Sequence, residues 1–154
     1  MKQLIDVANR KVVKDLFLAL DPAAKPLWGK MTAQQMVEHL ISQVQYTNGK
    51  KEPSCRVPKE EAEMAKQDYI YTDLKIPRNV VLSGIPEIFV YPDLTTAVNQ
   101  LMIELTDFDR YFDKPGTLVI HGGFGAMDYN EWLIWHGKHF THHLEQFGLI
   151  GESI

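Results

Sequence analysis

Six histidines against a single cysteine make imidazole the main metal-binding side chain of this sequence, and four of the six fall between His136 and His143. Imidazole is the commonest nitrogen ligand of divalent metals. In His139-Phe140-Thr141-His142-His143 the pair His139 and His143 stands four residues apart, one helical turn, a spacing that can chelate one ion. Advancing about 100° per residue from Trp132, His136, His139 and His143 share an arc of about 60°. His142 points away, toward the side of Trp135. Phe140, Leu144 and Phe147 lie just beyond the arc, so it borders a buried face. Three imidazoles stacked there cannot all carry charge, because like charges repel strongly in a low dielectric. Neutral imidazoles in a semi-buried cleft are what a divalent metal requires. A further histidine, His39, borders the apolar face of a different segment and can meet them.

Other chemistries lack their residues. One cysteine excludes an internal disulfide framework and any all-cysteine metal site. Cys55 itself lies in a charged, proline-flanked stretch, a poor setting for a nucleophile. A di-iron carboxylate bundle needs Glu-x-x-His pairs, yet three positions after Glu38, Glu131 and Glu145 stand Ile41, Ile134 and Gly148. A zincin protease needs glutamate directly after the first histidine of its pair; Phe140 follows His139 instead.

The elements that must position the histidines can be read from capping and periodicity. A first helix is expected over 6–20, capped by Asp6, with Val13, Leu16, Phe17 and Leu20 on one stripe. The second begins at the capping box Thr32-Ala33-Gln34-Gln35, with Met31 and Met36 placed for a hydrophobic staple. It buries Met36, Val37, Leu40, Ile41 and Val44, and ends at Asn48-Gly49. Residues 50–93 form a long crossover, with a polar helix over 59–71 and short extended pieces at 79–83 and 87–91 between prolines. A third long helix over 95–113 carries the seam Leu94, Val98, Leu101, Leu105, Phe108 and Phe112. A strand-like 117–120 and the glycine-rich His121 to Gly125 follow. The last helix starts at Asp128, with Glu131 completing a second capping box, and ends at Phe147-Gly148. Four long amphipathic helices in one domain of 154 residues predict an all-α four-helix bundle with a long, partly irregular crossover.

Composition narrows the partners. A net charge of -4 argues against nucleic acid, which calls for a positive field. No apolar run reaches the length of a signal-peptide core or a membrane helix, so a cytoplasmic protein with no membrane partner is expected. Trp28, Trp132 and Trp135 read as core-filling residues first and pocket walls second. The seam from Leu94 to Phe112 reads as core, and the bundle leaves room for an outer apolar stripe that suits a homodimer.

The stretch Trp28-Gly29-Lys30-Met31-Thr32-Ala33-Gln34-Gln35-Met36-Val37-Glu38-His39-Leu40 resembles the second-helix signature of the DinB-like superfamily. Glu131-Trp132 through His139-Phe140-Thr141-His142-His143-Leu144-Glu145-Gln146-Phe147-Gly148 resembles its fourth-helix signature. With the glycine-rich His121 to Gly125, the resemblance is to an uncharacterised branch of that superfamily of metalloenzymes. It implies one divalent metal, zinc or nickel, held by His39, His139 and His143. In the same pattern Gln146 and His136 either support the ligands or substitute for one. His142 falls outside it, and His121 departs from it, being followed by two glycines rather than proline and phenylalanine. The resemblance further implies a metal-dependent enzyme acting on a small-molecule substrate, such as an S-transferase using a low-molecular-weight thiol. Arg78 and Arg110 are then the candidates to hold the thiol's carboxylates. A metal-dependent hydrolase, or a non-catalytic bundle with a structural metal or none, is the alternative. An enzyme would leave a coordination position open, and a structural site would close it with a fourth protein ligand.

Overall fold

A computed structural model describes residues 4–78 and 88–151. The chain is mostly helical, of the all-α class: α1 (Arg10–Leu18), α2 (Ala33–Gln45), α3 (Lys59–Tyr71), α4 (Leu94–Tyr111) and α5 (Tyr129–Gln146). One hairpin, β1 (Val119–His121) paired antiparallel with β2 (Gly125–Met127), precedes α5.

Both expected capping boxes form. Thr32 and Gln35 close the start of α2, and Asp128 and Glu131 close that of α5. Each satisfies two amides that the first helical turn leaves without partners. Gly148 follows α5 with a φ of 69°, the left-handed conformation that glycine adopts at no steric cost.

Several boundaries differ from the sequence reading: α1 stops at Leu18 rather than at residue 20, and α2 stops at Gln45, short of Asn48-Gly49. α1 begins at Arg10, not Asp6, because Asn9 supplies the cap by accepting from the Val12 amide. The Asp6 carboxylate instead accepts from the Ala8 amide, 2.9 Å away, in a turn before the helix. The strand expected over 117–120 pairs over Val119–His121, in the register Val119 with Met127 and His121 with Gly125. Of the crossover, the polar helix is present as α3. The extended piece at 79–83 lies outside the described residues, as does Glu87. Ile88 to Tyr91 makes bends rather than a strand. The buried Glu38 carboxylate accepts from the Val90 amide there, 2.8 Å away.

α2 packs most extensively on α4, α1 also lies on α4, and α3 covers α5 and β2. The seam from Leu94 to Phe108 is buried throughout, as are Met36, Val37, Leu40 and Val44 of α2 and Phe140 and Leu144 of α5. The N-terminal segment crosses α5 at Gly137, where a Cβ would stand 2.8 Å from the Ile5 carbonyl oxygen. The Ile5 amide donates to Thr141 Oγ1, one turn further along. Where α2 meets α5, His39, His139 and His143 stand together. Among the described residues no helix is long and apolar enough to cross a membrane.

Candidate metal centre

α2 and α5 bring His39, His139 and His143 to one point. His39 sits mid-helix on the α2 face that also buries Met36 and Leu40, and His139 and His143 are successive turns of α5. His139 Nε2 lies 3.2 Å from His39 Nε2 and 3.1 Å from His143 Nε2. One donor atom from each residue falls within 4.8 Å of the others. The three are 3%, 3% and 5% exposed, so the point is shielded from bulk water.

The protons on these rings can be assigned from their partners. His143 Nδ1 faces Gln146 Oε1 at 2.7 Å, and the Gln146 amide nitrogen donates to the Trp28 carbonyl at 2.9 Å. The carboxamide oxygen can only accept, so His143 Nδ1 carries the proton and Nε2 presents a lone pair to the centre. Burial, then the neighbouring His39, pushes the His143 pKa down to about 3, although the Gln146 hydrogen bond works the other way. His139 is held well below the ordinary histidine range, chiefly by burial and then by repulsion from His143 and His39. Both rings are therefore neutral at physiological pH.

This donor set fits a divalent cation. Without one, His139 Nε2 faces two imidazole nitrogens and has at most one proton to share between them. Its Nδ1 is buried with no hydrogen-bond partner. A cation at the common point would satisfy three lone pairs together. Bonds of about 2.0–2.1 Å place neighbouring ligand atoms about 3.4 Å apart in a tetrahedron and about 3.0 Å apart in an octahedron. The two close separations of 3.1 and 3.2 Å fall between these limits.

The remaining histidines have other surroundings. His136 shares the helix arc yet turns its Nε2 to Thr47 Oγ1, 3.1 Å away. The Thr47 hydroxyl donates to the Val44 carbonyl, so His136 Nε2 is the donor in that bond. Its Nδ1 is buried without a partner, and burial pushes its pKa down to about 3. His121 ends β1 and accepts from the Gly123 amide. It stacks on Phe124 at 3.9 Å and meets Trp135 edge-on, and burial takes its pKa to about 4. Trp135 in turn stacks on His139, so the hairpin reaches the centre through one indole. His142 packs edge-on against Trp28 and stays outside the triad. No carboxylate joins the three nitrogens among the described residues. Cys55 is exposed, and Arg110 is exposed at the end of α4.

Sequence reasoning missed Thr47 and the carbonyl of Trp28. Thr47 lies just past the end of α2, where periodicity gives no orientation. The Trp28 tie depends on Gly29, whose φ of 79° and missing side chain let Gln146 approach; a Cβ there would stand 2.9 Å from the Gln146 amide nitrogen. No family model, curated protein or solved structure matches this chain.

Proposed function

We propose that this protein binds one divalent metal ion, zinc or nickel, through the Nε2 atoms of His39, His139 and His143. In this reading the helices form a DinB-like four-helix bundle, α1, α2, α4 and α5, with α3 as part of the crossover. The observation that carries the proposal is the convergence of three buried imidazoles from two helices, one of them with its donor nitrogen fixed by Gln146. A divalent ion there supplies Lewis acidity and lowers the pKa of a thiol or water bound beside it. The protein's own part is to keep the imidazoles neutral, hold their orientation and exclude bulk water. Three protein donors leave a position for a small-molecule substrate, and a metal-dependent enzyme such as a thiol-dependent S-transferase is the use we propose. The near-complete burial of the triad favours a second reading, a metal that only ties α2 to α5.

Cobalt substitution separates the two. Titrating the cobalt protein with glutathione and other low-molecular-weight thiols should shift its visible absorption if thiols reach the open position. A spectrum unchanged by every thiol would reject the transferase reading in favour of the structural one, or of a hydrolase using metal-bound water.

A further inference from the structure

α4 and α5 are equally long at 18 residues, but they are not equally covered. α3 lies over α5, whereas α4 packs on α2 and α1 along one side and turns the other to solvent. Thr96, Ile103 and Arg110 form the midline of that outer side, because residues seven apart drift by only about 20° around a helix. Asn99 and Thr106 flank them, and all five are exposed.

The chemistry of this side differs from that of the other exposed helix faces. α1 shows Lys11, Lys14 and Asp15 to water, and α3 shows Glu60, Glu61 and Asp68. From Leu94 to Thr106 the sole charged residue of α4 is Glu104, and it is buried among donors from Gln45, Asn48, Lys50 and Gln100. In place of charge the outer side carries Thr96, Asn99, Ile103 and Thr106, residues that form helix less readily than lysine or glutamate. Ile103, at the centre, is 52% exposed. Such a surface can be covered with little loss. No charge on it has to leave water, and its short or branched side chains have fewer rotamers to freeze than lysine or glutamate.

Uncompensated charge returns at the two ends, with opposite signs. Asp93 caps the helix, and its carboxylate accepts from the Thr96 amide at 2.7 Å, so it stands level with the first turn. Arg110 lies exposed in the last turn. Between them, Asp107 pairs with Lys50 on the α2 side and Asp109 pairs with Arg10 on the α1 side. Ile103 is midway between Thr96 and Arg110. A second α4 laid antiparallel across Ile103 therefore brings its arginine to Thr96 and to the Asp93 carboxylate held there, and symmetry repeats the pair at the other end. A parallel copy would set arginine against arginine and aspartate against aspartate. A two-fold axis through Ile103, perpendicular to the helix, gives the antiparallel arrangement and closes the assembly at two copies.

From this charge pattern we infer that the protein forms a two-fold dimer through α4, with Ile103 on the axis and Arg110 paired with Asp93 of the partner subunit. The inference does not rest on the metal, and its test is run on metal-free and zinc-treated protein alike. Sedimentation velocity of the full chain is the assay. One helix pair is at the small end of stable interfaces, so a dimer is expected at about 100 µM, with a dissociation constant in the micromolar range. Ile103→Arg sets like charges on the axis and should raise that constant at least about 100-fold. Arg110→Glu faces the Asp93 carboxylate and should raise it at least about tenfold. Adding Asp93→Asn to Arg110→Glu keeps a capping oxygen, removes the repulsion and should restore much of the association. These positions are exposed, and circular dichroism checks that each variant is folded. In a Cys55→Ser background, Ile103→Cys should cross-link under copper–phenanthroline oxidation, and Lys11→Cys on α1 should not. A chain that stays monomeric up to about 200 µM would overturn the inference. So would a dimer that survives Ile103→Arg, or one that Arg110→Glu weakens less than about twofold, since either result places the interface elsewhere.

Discussion

Replacing Gln146 with leucine should weaken zinc binding by about 10–100-fold, the range found when a group that orients a ligating histidine is removed. The magnitude follows from two hydrogen bonds. Gln146 Oε1 accepts from His143 Nδ1 at 2.7 Å, and the amide nitrogen donates to Trp28 at 2.9 Å. Leucine is of similar size and removes both. The His143 Nδ1–H is then buried with no acceptor, at about 1–3 kcal/mol. His143 can relieve that cost by moving its proton to Nε2, which abolishes the lone pair the metal needs. A tenfold to hundredfold loss corresponds to about 1.4–2.7 kcal/mol, so the two routes to the number agree. Competition against a fluorescent zinc chelator measures the affinity, and circular dichroism confirms that the variant is folded. Gln146→Glu is the informative companion. Its carboxylate still accepts from His143 Nδ1, so zinc affinity should equal or exceed that of the wild type. The lost donor to Trp28 should lower metal-free stability. A leucine variant within about twofold of wild-type affinity would refute the reasoning, because second-site support of a ligand is worth more than that.

Thr47→Val should destabilise the fold by about 1–3 kcal/mol, since it leaves His136 Nε2–H buried without its acceptor; urea unfolding reads the loss. Zinc affinity should change less than about twofold, and a larger change would mean that His136 acts on the centre. The pH dependence of the metal-free protein follows from His136 and His143, with pKa values lowered to about 3, and His121, lowered to about 4. In the unfolded chain histidine takes up its proton near about pH 6.5, whereas the folded state resists protonation until much lower pH. Stability is therefore fully present above about pH 6.5 and falls as the solution is acidified toward pH 4. Each of the three groups costs about 2 kcal/mol by pH 5, together comparable to the whole stability of an ordinary domain. Urea midpoints that stay constant from pH 7.5 to about pH 5 would contradict these assignments.

How much of this was legible in the sequence varied with the kind of signal. Capping boxes at Thr32 and Asp128 declare themselves locally, and both formed, which fixed the phase of the two helices that carry the triad. The spacing of His139 and His143 put both on one face of α5, and His39 bordered a face that had to be buried. Helix phase alone could not separate His136 from the triad, because it shares their arc. The partner that turns it away, Thr47, comes from a turn beyond α2. Asp6 looked like a helix cap until Asn9, three residues on, proved to hold that place. The β2 strand was hidden because Gly125-Ala126-Met127 lacks strand-forming side chains and is held by its register against β1.

Elemental analysis of tag-free protein tests the central claim most directly. The account predicts about one zinc or nickel ion per chain, and its loss in His39→Ala and in His143→Ala, one ligand taken from each helix. Wild-type protein that is folded, carries no metal and takes up neither zinc nor nickel on titration would contradict it.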